Sequence, residues 1–262
     1  MKSSRKHTDA PEIRRNRDRP TVVVTGVSGL IGTRIARALS PAYRVVGLDV
    51  VEPGSDYPDD ARFIECDLTD DGSTASAVDE LRESFGSAVA SIVHLAAYYD
   101  FSGEPSPLYD KLTVEGTRRL LRRARQRLRV EQFVFSSSLL VMKPSEDEVL
   151  DESSPVLAEW DYPQSKLDAE RVLREERGDV PVVVLRLAGA YDEKGHSPPI
   201  TQQIWRIREK KLESFLFPGN RSHGQSFIHL DDVVSCFEAV VERRDRLAPF
   251  EIFLIGEPDV VS

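Results

Sequence analysis

From Thr21 onward the chain alternates between two kinds of apolar pattern. Thr21-Val22-Val23-Val24 is short, continuous and β-branched, and it ends in Thr25-Gly26. A run without polar alternation predicts a strand covered on both faces, as in a parallel sheet. Ile31, Ile35, Ala38 and Leu39 then fall at helical spacing, predicting a helix from about Gly29 to Leu39 that Pro41 closes. Tyr43 to Asp49 reads as a second strand, ending in an acid. Further strands are predicted at Arg62 to Glu65, Ser91 to Leu95, Gln132 to Ser136 and Val182 to Leu187. Helices are predicted between most of them, at Thr74 to Phe85, Tyr109 to Arg127 and Gln164 to Glu176. Strands alternating with helices imply an α/β fold with a doubly wound parallel sheet of the Rossmann type.

After Arg186 the pattern loosens. Asp192 to Pro199 is polar and turn-rich, and a helix is expected from about Ile200 to Lys211. Phe227 to Leu230 reads as a short strand. Asp231 or Asp232 is expected to cap a helix through Val241, and a last strand runs from Phe250 to Ile255. The expected division is a dinucleotide-binding domain at 20–188 carrying the chemistry. Segments of a small substrate lobe follow at 189–262, interleaved with the last strands. Residues 1–19 are rich in Lys, Arg, Asp and Pro and cannot bury enough to order themselves, so a flexible basic arm is expected there.

Composition narrows the function class. The net charge of -9 argues against a general nucleic-acid binder. In the arm, Asp9, Glu12 and Asp18 interrupt Arg14, Arg15, Arg17 and Arg19, favouring a solvated tail over a binding surface. No apolar run approaches the ~18 residues of a membrane helix, and the N-terminus lacks the apolar core of a signal peptide. The two cysteines, Cys66 and Cys236, make neither a disulfide framework nor a metal spacing. Both read as buried thiols in a reducing, cytoplasmic setting.

Gly26, Gly29 and Gly32 follow a strand and open a helix, where missing side chains let backbone amides approach a pyrophosphate at the helix N-terminus. The spacing is Gly-x-x-Gly-x-x-Gly, and alone it would read as a structural turn. Asp49 closes the next strand about twenty residues on, where a carboxylate accepts both ribose hydroxyls and repels a 2′-phosphate. Together they point to NAD rather than NADP. Tyr162-Pro163-Gln164-Ser165-Lys166 puts a phenol and an ammonium four residues apart, on one helix face. Alone this could be a surface pair, but Ser138 just after a strand offers a hydroxyl for the same substrate oxygen. Lowering the Tyr162 pKa by roughly three units needs about 4 kcal/mol, more than any surface ion pair supplies. Pro163 suits the first helical turn, placing Tyr162 at the positive end of the helix dipole.

These residues resemble the extended short-chain dehydrogenase/reductases, also called the NAD-dependent epimerase/dehydratase family. The resemblance runs from about Thr21 to Ser262 through Thr25 to Gly32, Cys66-Asp67-Leu68, His94-Leu95-Ala96-Ala97, Thr113 to Thr117, Ser136-Ser137-Ser138, Tyr162 to Lys166 and Phe227 to Asp232. It implies an NAD site formed by Gly26, Gly29, Leu30, Ile31, Gly32, Asp49, Asp67, Leu68, Leu95, Ala96, Ala97, Tyr162 and Lys166. Asp67 would bond the adenine amino group, and Leu68 would face its ring. The implied catalytic set is Ser138, Tyr162 and Lys166, with Thr113 where the family usually has an asparagine that orients the lysine through water. His94 is expected to be structural.

Departures from the family pattern bear on the substrate. Leu139-Leu140 replaces the acid pair that dehydratases place after the catalytic hydroxyl. Gln225 and Ser226 stand where a diphosphate-clamping arginine is common, leaving Arg221 or Lys194 to compensate. His196 and His223, in the predicted substrate loops, read as exposed polar residues, and His229-Leu230-Asp231-Asp232 lacks further ligands for a metal. The chain also stops where extended relatives continue, so the substrate lobe is expected to be incomplete. The expected activity is hydride transfer between nicotinamide and a secondary alcohol or carbonyl carbon of a small molecule: a sugar nucleotide, a sterol-like compound or another. The alternative is a catalytically silent NAD-binding regulatory or interaction module. The basic helix Arg118 to Arg129 reads as a solvated face, or as part of a homodimer interface through helices 109–127 and 164–176. In that interface Glu170, Glu175 and Glu176 would meet arginines across a two-fold axis.

Overall fold

Seven parallel strands form the central sheet: β1 (Thr21–Thr25), β2 (Arg44–Asp49), β3 (Arg62–Glu65), β5 (Ser91–His94), β7 (Phe133–Ser138), β8 (Val182–Leu187) and β11 (Phe250–Ile255). Their order is β11-β8-β7-β5-β1-β2-β3, and every pairing is parallel. The computed structural model describes residues 19–100, 104–143, 149–196 and 226–257, with Trp205, Arg208 and Glu209 between the last two stretches. The predicted arm up to residue 18, most of the predicted helix 200–211, and Arg221, His223 and Gln225 lie outside the described residues.

β1 is buried along its whole length, as its unbroken valines require. Val22 and Val24 pack with α1 (Leu30–Leu39) and α5 (Leu230–Glu242), while Val23 faces α2 (Asp71–Phe85), α3 (Glu115–Arg127) and α4 (Asp161–Glu176). Two helical layers therefore cover the sheet. The order reverses between β1 and β5, so the crevice at their carboxyl ends is where a ligand of this fold binds. Two short parallel pairs flank the sheet: β4 (Ala88–Val89) with β6 (Arg129–Val130), and β9 (Gly189–Tyr191) with β10 (Phe227–His229).

Several predicted boundaries shift for identifiable reasons. β7 runs two residues past Ser136, because Ser137 and Ser138 pair with Arg186 and Leu187 of β8. α2 starts at Asp71 because the Asp70 carboxylate accepts from Ser73 N. Neither Asp231 nor Asp232 caps α5: His229 does, its Nδ1 accepting from Asp231 N at 3.2 Å. The predicted helix 109–127 opens with a wide π-helical turn, Tyr109–Val114, before regular α3. Arg19, expected in the free arm, donates to Ser40 O at 2.7 Å. Cys66 is buried as expected, whereas Cys236 is only half-buried. No helix among the described residues is long and apolar enough to cross a membrane.

Candidate active site

The glycine loop joins β1 to α1 at the open end of the sheet. Gly26 has φ +68°, and a Cβ there would sit 2.9 Å from Ala96 N. The left-handed conformation and this close approach both require glycine. A Cβ on Gly32 would lie 2.2 Å from Gly26 O and 2.7 Å from Val27 Cα, so the loop folds back onto its own helix. Gly29 precedes the first turn with no side-chain cap, leaving the α1 amides to a ligand. Leu30 is exposed and Ile31 half-buried at that end.

Asp49 stands beside this loop. Its Oδ2 accepts from Ser28 N at 3.0 Å, and Oδ1 accepts from Val50 N at 2.8 Å. Thr25 Oγ1 accepts from Leu95 N and Ala96 N at 3.2 Å each, so the segment Leu95-Ala96-Ala97 leaves β5 directly against the glycines. Asp67 closes a turn, Oδ1 accepting from Thr69 N at 2.8 Å and from its hydroxyl at 2.7 Å. Leu68 is buried, with Gly116 backed against it. The donor set suits a dinucleotide: a cradle that a single Cβ would fill, exposed helix amides, and a carboxylate one strand away.

Ser138, Tyr162 and Lys166, on two elements, come together at the end of β7. Tyr162 lies in the first turn of α4 and is hydrogen bonded by Ser138. Lys166 is one turn on, its Nζ 5.9 Å from the Tyr162 ring centre and donating to Ser136 O at 2.8 Å. Burial pushes the Tyr162 phenol above its usual 10. The same cause lowers Lys166 from 10.5 to about 7, with Glu170 opposing it. Both groups are therefore held towards neutrality, and the lowered Tyr162 pKa expected from the sequence is not produced by these residues, because burial outweighs the Ser138 hydrogen bond.

Thr113 is placed nearby but bonded elsewhere. It is fully buried on the π-helical turn, and its Oγ1 accepts from Tyr98 N at 3.0 Å. His94 is structural, as expected. Thr25 Oγ1 already accepts from two amides, so its hydrogen goes to His94 Nδ1 at 2.6 Å. The other ring nitrogen then donates to Thr117 Oγ1 at 2.9 Å, and Thr117 donates to Thr113 O. Burial, with the charge of Lys166 adding to it, lowers His94 to about 3 and keeps it neutral.

Two groups of residues here escaped the sequence reading. Tyr99 and Trp160 flank the Tyr162 ring, with centroids 5.2 and 5.5 Å away. Glu170 and Arg186 form a buried ion pair at 2.7 Å beneath the site. The signal was available: an arginine inside the apolar strand Val182–Leu187 demands a buried anion.

This pair also corrects the charge argument for a dimer. Glu170 is satisfied inside its own chain, and Glu176 binds Arg118 and Arg122 of α3, at 2.7 and 2.8 Å. Neither is left to meet arginines across a two-fold axis. His196 is anchored to Asp192 at 2.7 Å, and among the described residues no cluster suits a metal.

Comparison with known proteins agrees with the geometry. The chain is 26% identical over 251 residues to dTDP-D-glucose 4,6-dehydratase of Mus musculus, covering 90% of this chain and 67% of that one. It is 29% identical over 244 residues to N-acetyl-alpha-D-glucosaminyl-diphospho-ditrans,octacis-undecaprenol 4-epimerase of Escherichia coli O157:H7, covering 91% and 68%. The chain thus spans about two thirds of the length of these relatives. Among solved structures, MoeE5 in complex with UDP-glucose and NAD superimposes with a TM-score of 0.71 at 26% identity, covering 92% of this chain and 77% of that one. Residues 22–256 match the NAD dependent epimerase/dehydratase family, and the chain belongs to that family.

Proposed function

We propose that this chain is an NAD-dependent oxidoreductase or epimerase in which Tyr162 moves a proton on the oxygen of a secondary alcohol or carbonyl. The observation that carries this reading is the meeting of Ser138, Tyr162 and Lys166 at the carboxyl end of β7, on the same carboxyl edge of the parallel sheet as the glycine loop. Gly26, Gly29, Gly32 and the α1 amides would hold the pyrophosphate, and Asp49 the adenosine ribose. When bound, NAD supplies the hydride acceptor and, in its oxidised form, a positive charge.

The chain's own residues do the rest. Ser138 gives the substrate oxygen a hydrogen bond and fixes it on Tyr162. Tyr162 takes or returns the hydroxyl proton, and the Lys166 ammonium favours the phenolate that this creates. Tyr99 and Trp160 wall the phenol with aromatic surface and keep water from it.

Leu139 and Leu140 follow Ser138 on a tight turn, Leu139–Val141, and have no acid to eliminate water. That favours epimerisation through a keto intermediate, or simple oxidoreduction, over dehydration. The sugar nucleotides of the relatives are the first substrates to test. A cofactor-reduction screen over nucleotide sugars, sterols and small secondary alcohols is the experiment, with Tyr162→Phe as control. Turnover should fall by about 10²–10⁴-fold in that variant, with NAD binding retained. Full activity in Tyr162→Phe would remove Tyr162 from the chemistry.

A further inference from the structure

β7 ends in three serines, and α4 presents Tyr162, Lys166 and Glu170 at successive turns of one face. Each turn engages a different serine. Ser138 hydrogen bonds Tyr162, Ser136 O accepts from Lys166 Nζ at 2.8 Å, and Ser137 Oγ donates to Glu170 Oε1 at 2.5 Å. Glu170 is only 5% exposed and is held on its far side by Arg186 of β8. Arg186 Nε donates to Oε1 at 3.1 Å and Nη2 to Oε2 at 2.7 Å. Arg186 is also the register partner of Ser137, so one carboxylate joins a helix to two neighbouring strands. Apolar residues of similar volume would often pack there at no loss of stability, so packing alone gives little reason for a buried ion pair.

We propose that Glu170 is a positioning residue, locking the Tyr162–Lys166 face of α4 onto the β7 serines and keeping an anion one turn from the buried Lys166 ammonium. The inference rests on the function proposed above. Glu170 lies one turn from Lys166 and two from Tyr162, so its charge acts mainly on the lysine. The other titratable groups facing this region are His94 from β5, Arg186 from β8, and Tyr99 and Tyr109 from the chain between β5 and α3. Of these and Glu170, only Glu170 bears a carboxylate. Without it Lys166 gives up its proton at lower pH, because burial then acts on the ammonium unopposed.

The test is the ionisation of Lys166 in the NAD-saturated protein, read by nitrogen-15 NMR of labelled lysine as the side-chain signal that Lys166→Met removes. In Glu170→Gln that signal should move to lower pH by about one unit, a tenfold change in proton affinity. NAD affinity, measured by fluorescence titration, should stay as in the wild type and show that the fold is kept. A Lys166 signal that is unmoved, or that moves to higher pH, overturns the proposal. Glu170→Gln leaves Arg186 buried and unpaired. If that variant does not fold, Glu170→Gln with Arg186→Met removes the stranded cation and should shift the signal in the same direction. Wild-type turnover that survives Tyr162→Phe would overturn the functional reading and this inference together. An ionisation present in wild type but indifferent to Glu170 overturns the inference alone.

Discussion

Replacing Lys166 by methionine should make the protein more stable, and by an amount that depends on pH. The lysine is fully buried, and its folded pKa is about 7 against 10.5 when solvated. That gap of 3.5 units corresponds to about 5 kcal/mol against the charged form. The folded pKa lies below the unfolded one, so the folded state binds fewer protons across the window between them. Stability from this group therefore rises with pH from about 7 to 10.5, and its full cost is present below about 7. At about pH 9 the remaining cost is roughly 2 kcal/mol, the work of deprotonating the solvated lysine. Methionine fills similar volume without the charge but forfeits the bond to Ser136 O, which takes back about 1 kcal/mol. The net gain of Lys166→Met is therefore about 4 kcal/mol near pH 6 and about 1 kcal/mol near pH 9. Urea unfolding of both proteins at the two pH values measures it. A gain that is the same at both, or a loss near pH 6, would refute the premise that the lysine is held against its own desolvation. Activity should be lost throughout, because the phenolate has no cation.

Gly32→Ala should abolish NAD binding and destabilise by about 1–3 kcal/mol, because the new methyl meets backbone that cannot yield. Isothermal titration and thermal unfolding report the two effects; retained affinity would show that the loop yields. Asp49→Ala should weaken NAD by about ten- to a hundredfold, the worth of one or two hydrogen bonds to a charged acceptor, and narrow the gap to NADP. The check is the ratio of the two affinities. His94 should make the protein acid-labile: its folded pKa of about 3 lies below 6.5, so the stability it contributes is complete above 6.5 and drains away as pH falls towards 3. The loss reaches about 5 kcal/mol, and the acid limb of the unfolding free energy should flatten in His94→Gln.

The sheet was legible because its strands are covered on both faces and carry short apolar runs at their centres, as β1, β5 and β8 do. The cofactor loop was legible because close backbone approach permits only glycine. The Tyr162 and Lys166 pair could be read because one helical turn fixes its geometry. What stayed hidden depends on contacts between distant segments. Ser137, Glu170 and Arg186 lie 33 and 16 residues apart along the chain, and no local pattern joins them. The hydrogen bond accepted by Thr113 was hidden for a similar reason. Its partner, the Tyr98 amide, is 15 residues away on a loop without periodicity. The cap of α5 was assigned to an aspartate by propensity, but the strand delivers His229 to that position.

The wide turn at Tyr109–Val114 gives the fold a kind of slack. In it the Glu115 amide reaches back five residues to Asp110 O, one more than an α-helix uses. Its two ends hold the segment that carries Tyr99 past the phenol: Thr113 takes the Tyr98 amide, and the Tyr109 hydroxyl bonds Asp100 O at 2.8 Å. Removing a single residue here would relax the turn to an ordinary helix and swing Tyr109 by about 100° around the axis. α3 and its core contacts would remain where they are. A one-residue deletion would thus shift the aromatic surroundings of the Tyr162 phenol while leaving Ser138, Tyr162 and Lys166 on their own elements. Length alone, with no substitution, can therefore alter what stands beside the phenol.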